Sequence, residues 1–468
     1  MRVLFVTPEF APLTKTGGLG DVSSALPAVL RQQGIDVRVL LPGYSEVLAR
    51  TNAVERATLR VLGFDVRVLE ADSLWVLDCP PLYRRDGGPY QDAAGADWGD
   101  NALRFAVLSK AASVLAGVES PLAWQPDCVH CNDWPAALAA AYLAFDKSAS
   151  AASVLTVHNL AFQGVFDAAL LGRLELPAQS FALDGLEFHG RLSFLKGGLA
   201  YADEITTVSP TYAVEIQGAE FGCGLDGLLR QRRQSLTGIL NGIDAAAWNP
   251  ADDPLIAAPY DASRLDGKAL NKQALQFRLR LKVDPQVPLL GAVSRLTHQK
   301  GSDLLADAID ELVALPAQLA VVGKGEARVE EALRAAAVRY PGRVSATIGF
   351  DEGLAHAIEA GADVFLMPSR YEPCGLNQMY SQRYGTPPVA RATGGLIDTI
   401  EDGKTGFLFD RAERGPFVAA VRRAVELRRD SGRWHEMQRR GMLRDFSWST
   451  AARQYAALYS RLAMRAPA

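Results

Sequence analysis

The hydrophobic positions of the chain fall into short β-branched runs separated by longer amphipathic stretches. Residues 3–7 form such a run, ended by Pro8, and read as a buried parallel strand. A glycine-rich loop follows at 15–21. Then come a helical stretch over 22–33, stopped by Gly34, and a strand over 36–41. Strand, glycine loop, helix and strand make one βαβ unit. The pattern recurs: a strand ending at 128–131, a helix over 136–145, strands over 154–157 and 204–208, and 238–240 ahead of the turn Asn241-Gly242-Ile243-Asp244.

Between Ala245 and Asp266 the periodicity stops. Pro250, Asp252, Asp253, Pro254 and Pro259 crowd together, which reads as a crossing between two domains. A second series begins at Leu289. Strands over 289–293, 318–322, 344–348, 363–367 and 388–390 alternate with helices over 303–315, 326–339, 354–360 and 375–384. Such alternation implies a parallel sheet covered by helices on both faces. The stretch 448–464 is predicted as a helix with Tyr455, Leu458 and Leu462 near one face. The expected class is α/β, with two doubly wound domains and a cleft between them. Sheets of this kind bind ligands beyond the carboxyl ends of their strands.

Composition narrows the function classes. The chain has 468 residues, room for two or three domains at roughly 150 residues each. Its net charge of −4 argues against a dedicated nucleic-acid binder but leaves space for a local basic pocket. Five cysteines, an odd count in a long chain, do not suggest a disulfide scaffold. Cys128 and Cys131 form a lone CxxC and read as buried thiols rather than zinc ligands. Thr7, Pro8 and Glu9 end the first apolar run too early for a signal peptide. The longest apolar stretch, 136–145, is far short of the roughly 20 residues of a membrane span. The expectation is a cytoplasmic protein without membrane or nucleic-acid partners.

The loops at the strand ends carry the candidate chemistry. Lys15, Gly17, Gly18, Gly20 and Asp21 lie between a strand and a helix. The loop reads either as a cradle for an anion at a helix N-terminus or as a tight structural turn. It is neither a dinucleotide fingerprint nor a Walker loop. Arg295 and Lys300 share the loop after the first strand of the second series, within reach of a diphosphate or as solvated charges. Glu372 follows a strand and can accept hydrogen bonds from sugar hydroxyls, while Gly375 helps start the next helix. Thr393, Gly394 and Gly395 offer backbone N–H groups to an anion. His158 ends a strand, as a core histidine or as a site residue. His130 and Asp133 end a neighbouring strand and flank the same opening. No Gly-x-Ser-x-Gly elbow and no His-Glu-x-x-His cluster occurs. Phosphate-binding glycines, two cations and a sugar-compatible glutamate describe a nucleotide-sugar transferase.

At these residues the chain resembles the family of bacterial glycogen synthases and plant starch synthases. The resemblance is carried over nearly the full length by Lys15-Thr16-Gly17-Gly18-Leu19-Gly20-Asp21, by Val157-His158-Asn159-Leu160 and by Leu240-Asn241-Gly242-Ile243-Asp244. Ser294-Arg295-Leu296 through Lys300-Gly301, Met367-Pro368-Ser369-Arg370-Tyr371-Glu372-Pro373-Cys374-Gly375-Leu376 and Thr393-Gly394-Gly395-Leu396 continue it. It implies a GT-B type fold of two Rossmann-like domains facing a deep interdomain cleft: 1–244 on the acceptor side, 245–447 binding the nucleotide sugar, and a helix at 448–468 crossing back to the first domain. It implies a retaining glucosyltransferase moving glucose from ADP-glucose to the non-reducing end of an α-1,4-glucan such as glycogen, with no cofactor and no metal.

Carried over by position, Lys15 contacts the donor, and Gly17 and Gly18 present N–H groups to its phosphates. Arg295 and Lys300 neutralise the leaving diphosphate, and Glu372 holds glucose hydroxyls. His158 lies near the reacting sugar, Asn241 near the donor, and Phe350 stacks on the adenine. Asp21 and Asp133 contribute to the sugar or acceptor side. Cys374, Gly375, Leu376, Thr393, Gly394 and Gly395 complete the substrate site. Two departures bear on the acceptor side: Asn132 stands where the family commonly has His, and Trp98 replaces a Tyr. A transferase acting on a small acceptor and a non-catalytic glucan-binding protein are the competing functions.

Overall fold

The computed structural model describes residues 1–146, 148 and 150–464. They divide into two units, Met1–Gly242 with the segment from Trp448 onward, and Ile243–Ser447. Each is a Rossmann-like α/β domain, the pair that makes up the GT-B type.

The first unit holds the strands β1 (Arg2–Val6), β2 (Asp36–Pro42), β3 (Val54–Val61), β4 (Phe64–Ala71), β5 (Leu74–Asp78), β6 (Cys128–Asn132) and β7 (Ala152–Val157). It continues with β8 (Val165–Phe166), β9 (Glu187–Phe188), β10 (Arg191–Ser193), β11 (Glu204–Thr207) and β12 (Leu236–Gly238). Nine of these form one sheet in the order β12-β11-β7-β6-β1-β2-β5-β4-β3, and β8, β10 and β9 form a small separate sheet. From β12 to β5 neighbouring strands run parallel, while β4 pairs antiparallel with β5 and β3. The central strand β1 buries Val3, Leu4, Phe5 and Val6 completely, as a strand covered on both faces must. The β3–β5 meander was not expected from the sequence. Its outer strand β3 exposes Glu55, Arg56 and Arg60, which read as polar surface rather than as a strand.

The C-terminal helix Trp448–Ala463 lays Trp448, Tyr455, Leu458, Tyr459 and Leu462 against Val3, Phe5, Val22, Leu26 and Leu30 of the first unit. Beneath it, His130 is fully buried, with Nδ1 2.6 Å from the Tyr459 hydroxyl and Nε2 2.6 Å from Thr156 Oγ1. His130 therefore does not flank an opening. It is a core residue whose two nitrogens are both engaged. Cys128 and Cys131 are buried free thiols.

The second unit has six strands, β13 (Leu289–Val293), β14 (Gln318–Gly323), β15 (Val344–Ile348), β16 (Val364–Met367), β17 (Pro388–Arg391) and β18 (Phe407–Phe409). They form a parallel sheet in the order β15-β14-β13-β16-β17-β18. In this order the chain reverses direction across the sheet between β13 and β16, the switch point where doubly wound sheets bind ligands. The helix expected over 303–315 is two helices, Ser302–Asp307 and Ile309–Ala314. The Ala308 N–H bonds Leu305 O, a tight 3₁₀-type turn that breaks the ladder. The helix expected from 375 begins at Asn377 instead, because Gly375 sits at φ +73°, outside the helical region. No helix among the described residues is long and apolar enough to cross a membrane.

Candidate active site

In the first unit the glycine loop runs from β1 into the helix Gly18–Gln32. Its organiser is a residue the sequence reading passed over. Glu9 is 4% exposed, and its Oε2 accepts the N–H groups of Thr16 at 2.6 Å and Gly17 at 3.1 Å. Its Oε1 accepts the Tyr90 hydroxyl at 2.7 Å. A carboxylate thus already sits at the positive end of the helix. The Gly17 N–H, expected to face a phosphate, is taken by Glu9. Burial raises the Glu9 pKa, and the three donors work against that rise. Gly18 opens the helix and is exposed. Lys15 Nζ pairs with Asp21 Oδ1 at 2.7 Å in a partly exposed bridge, a weak contact that a ligand can exchange.

At the ends of β6 and β7 stand Asn132, Asp133 and His158. Asp133 has φ +55°, and its Oδ1 accepts the backbone N–H of His158 at 2.7 Å and of Asn159 at 3.4 Å. It ties two strand ends together. Burial, opposed by those two donors, pushes its carboxyl up to about 7. His158 Nε2 lies 3.0 Å from Asn132 Oδ1, while Asn132 Nδ2 donates to Val6 O at 3.1 Å. With the amide oriented this way, Nε2 carries the hydrogen and Nδ1 is left as an acceptor. Burial holds the imidazole at about 3, so it is neutral at neutral pH. Asn241 is buried, and its Oδ1 has no partner among the described residues.

In the second unit the loops after β13 and β16 meet at the switch point. Lys300 Nζ lies 2.6 Å from Glu372 Oε2, and Ser369 Oγ donates to the same oxygen at 3.0 Å. The Glu372 side chain is 5% exposed and that of Lys300 20%. Gly301, beside Lys300, has φ +63°, and a Cβ there would lie 2.0 Å from Pro368 O. Only glycine lets this loop close on the end of β16. Arg295 is exposed and pairs with no carboxylate among the described residues. Arg370 grips Asp303 at 2.6 and 2.8 Å and braces the loop. Phe350 stands after β15, 86% exposed.

Thr393, Gly394 and Gly395 begin the short helix Gly394–Thr399. The expectation that Gly395 offers its N–H to an anion is corrected, since that group donates to Glu372 O at 3.1 Å. A Cβ on Gly394 would lie 2.0 Å from the same carbonyl. This pair of glycines is the bed on which the 372–374 loop rests. Cys374 is buried, and Gly375 and Leu376, half-buried, lead into the helix Asn377–Arg383.

The structure therefore brings together Glu9, Lys15, Gly17 and Asp21 at one strand end and Asn132, Asp133 and His158 at others of the same unit. In the second unit it joins Lys300 to Glu372 and Ser369. Glu9 and Tyr90 were missed, and Ser369 stood in the motif around Glu372 without a role of its own. Glu9 had one readable signal, an acidic residue just after a strand and just before a glycine loop. Among the described residues no group of three or more His, Cys, Asp or Glu side chains could hold a metal ion. A lysine paired with a buried carboxylate, and an exposed arginine on the same strand-end loop as that lysine, suit a phosphorylated sugar.

A family model described as starch synthase catalytic domain matches residues 2–231, and one described as glycosyl transferases group 1 matches 275–441. The glycogen synthase of Aromatoleum aromaticum is 54% identical, with 100% of this chain and 98% of the relative covered. That of Nitrosospira multiformis is 50% identical over 99% and 97%. The catalytic domain of starch synthase IV from Arabidopsis thaliana, solved bound to ADP and acarbose, superposes with a TM-score of 0.88 at 32% identity, covering 99% of both chains. Sucrose-phosphate synthase from Thermosynechococcus elongatus shares the fold, with a TM-score of 0.62 at 18% identity over 98% of both chains.

Proposed function

The chain belongs to the glycogen and starch synthase family of glycosyltransferases, and on that premise we propose that it transfers glucose from ADP-glucose to the non-reducing end of an α-1,4-glucan with retention at the anomeric carbon. The observation that carries the reading is the Lys300–Glu372 pair at the switch point of the second unit, on a loop that also carries the exposed Arg295. The ADP bound by the starch synthase relative supports an adenine nucleotide as the donor.

As the bond from glucose to diphosphate breaks, negative charge grows on the leaving oxygens. Arg295 and Lys300 stabilise it, the Arg as a planar fork and the Lys as a point charge. Glu372 keeps one oxygen on Lys300 and Ser369 and turns the other to glucose hydroxyls. Its engagement argues against a nucleophilic role. The acceptor hydroxyl attacks on the face the diphosphate leaves, and a phosphate oxygen takes the proton. His158, neutral, accepts a sugar hydroxyl at Nδ1 and orients the ring. Asp133 acts on the acceptor side chiefly by fixing the His158 backbone. Lys15 and Asp21 exchange their mutual bridge for donor and sugar contacts, and Gly18 lets the loop approach the phosphates. Asn241 turns its unsatisfied Oδ1 to the donor. Phe350 stacks on the adenine, and Cys374, Gly375, Leu376, Thr393, Gly394 and Gly395 shape the wall behind the diphosphate and sugar.

The test is initial rate on glycogen with ADP-glucose and UDP-glucose side by side, then on a small sugar phosphate acceptor. The expected result is chain elongation on glycogen with ADP-glucose preferred. Nucleotide release at the blank rate with every glucan would overturn the reading.

A further inference from the structure

A cavity of about 320 Å³ opens in the second unit between Ile243, Ala245, Arg383 and the stretch 442–447. It lies apart from the loops that hold Lys300 and Glu372. Arg383 ends the helix Asn377–Arg383, which starts beyond the carboxyl end of β16 and runs back toward the amino end of β17. The seven residues of that helix put roughly 10 Å between its two ends. The Arg383 guanidinium is poorly used. Its Nη1 donates to Met442 O at 3.4 Å and its Nη2 to Asn249 Oδ1 at 3.3 Å, both long for hydrogen bonds. Its Nε is buried without a partner, and no carboxylate pairs with this arginine among the described residues. Buried donors in folded proteins are seldom left so.

The walls indicate the ligand. Arg444 adds a second guanidinium, with Nη1 3.2 Å from Glu401 Oε1 and Cζ 5.2 Å from the centre of the Phe446 ring. The one carboxylate among the described lining residues, Asp445, accepts the Ser447 N–H at 2.8 Å. Two arginines against one aspartate give the cavity a positive balance. A carboxylate ligand fills one guanidinium fork, whereas a phosphate has oxygens enough for two. The rest of the wall is apolar: Ile243, Ala245, Met442, Leu443 and Phe446. Leu443 is 76% exposed, an apolar side chain left standing in water. At about 30 Å³ per water-sized group, the space holds roughly ten non-hydrogen atoms. The Ile243 N–H on Phe446 O, at 2.8 Å, ties two of the backbone walls together, so the shape does not wait for a ligand.

We propose that this cavity binds a small phosphomonoester, its phosphate on Arg383 and Arg444 and a partly apolar body against Met442, Leu443 and Phe446. The site is separate from the reacting centre, and the proposal stands independently of the donor and acceptor named above. An occupant ties the helix that follows the Glu372 loop to the stretch 442–447, which leads into the helix Trp448–Ala463. Binding the folded chain alone, it raises Tm by mass action.

The experiment is calorimetric titration of the full chain with phenyl phosphate, which matches the cavity in size, and with inorganic phosphate, ADP being kept at saturation throughout. It is repeated in Arg383→Met, Arg444→Gln and Arg295→Ala. The expected result is one phenyl phosphate bound per chain, about tenfold more tightly than inorganic phosphate, the worth of burying part of its ring. Arg383→Met weakens it about tenfold or more and Arg444→Gln about threefold or more, the worth of charge-assisted hydrogen bonds. Arg295→Ala leaves it at the wild-type value. Melts without ligand show that each variant is folded, and Arg444→Gln, at a partly exposed position, carries the test if Arg383→Met is unstable. Phenyl phosphate bound no more tightly than inorganic phosphate means an adventitious ion only, and overturns the proposal. Binding that survives both Arg383→Met and Arg444→Gln, binding lost in Arg295→Ala, or no binding in the wild type overturns it equally.

Discussion

Lys300 and Glu372 are joined by a 2.6 Å ion pair across the switch point of the second sheet, with Ser369 on the same carboxylate oxygen. The pair does two jobs at once. It fixes the cation that the proposed mechanism sets against the leaving group, and it keeps a nearly buried carboxylate from standing uncompensated.

Those jobs separate by mutation. Lys300→Ala lowers kcat by about 10²–10³-fold, the loss for one transition-state charge contact. It also lowers Tm, because Glu372 is left buried and unpaired. Adding Glu372→Gln recovers Tm and not turnover. Thermal melts and steady-state rates on the three proteins check this.

Arg295 gives the contrasting case. It is exposed and pairs with no carboxylate among the described residues. Arg295→Ala lowers kcat by about 10²-fold or more and leaves Tm within the error of the melt. A substantial drop in Tm would place the residue in the scaffold instead.

Phe350 is 86% exposed, so its ring contributes almost nothing to the folded state before ligand arrives. Phe350→Ala raises the donor KM with kcat unchanged, the signature of lost binding common to ground and transition states. Phe350→Tyr restores it.

Glu9 tests how the glycine loop is held. Glu9→Ala strands the N–H groups of Thr16 and Gly17 and the Tyr90 hydroxyl, at a cost of about 1–3 kcal/mol in stability. The donor KM rises with it. Glu9→Gln keeps an acceptor oxygen and recovers most of both losses, measured by chemical denaturation and donor titration.

The pH dependence of stability follows from the buried histidines. His130 and His158 are both held at about 3 by burial, against 6.5 when unfolded. Below pH 6.5 the unfolded chain takes up protons that the folded chain refuses, so each histidine costs stability as pH falls towards 3, by about 1.4 kcal/mol per pH unit. Asp133, pushed up to about 7, acts in the opposite sense over the same range, and the raised Glu9 carboxyl acts in the same direction as Asp133. Removing one histidine therefore changes the slope by one proton. His130→Gln lowers stability at pH 7 yet shows the shallower decline from pH 6.5 to 4, read from denaturation midpoints.

What was legible in the sequence was what periodicity and loop composition encode locally. The alternation from Leu289 onward predicted a parallel sheet, and the loops holding Arg295, Lys300 and Glu372 could be named before their contacts were known. What was not legible depended on partners distant in the chain. Nothing near Gly17 says that Glu9 will take its N–H, and nothing near Gly395 says that Glu372 O will. His130 and His158 look alike as strand-end histidines. One faces Tyr459, 329 residues away, and the other Asn132 on the next strand. The β3–β5 meander escaped notice because an edge strand with one wet face carries its charges openly.

The helix Trp448–Ala463 packs on β1 and supplies the Tyr459 hydroxyl to His130. The first unit is thus a discontinuous fold whose opening strand and closing helix are separated by the whole of the second unit. On the ribosome, the second unit has everything it needs before the helix Trp448–Ala463 emerges, whereas the first must wait with one face of its sheet uncovered until that helix is made. A nascent chain stopped at Ser447 will hold a protease-resistant second unit beside a labile first one.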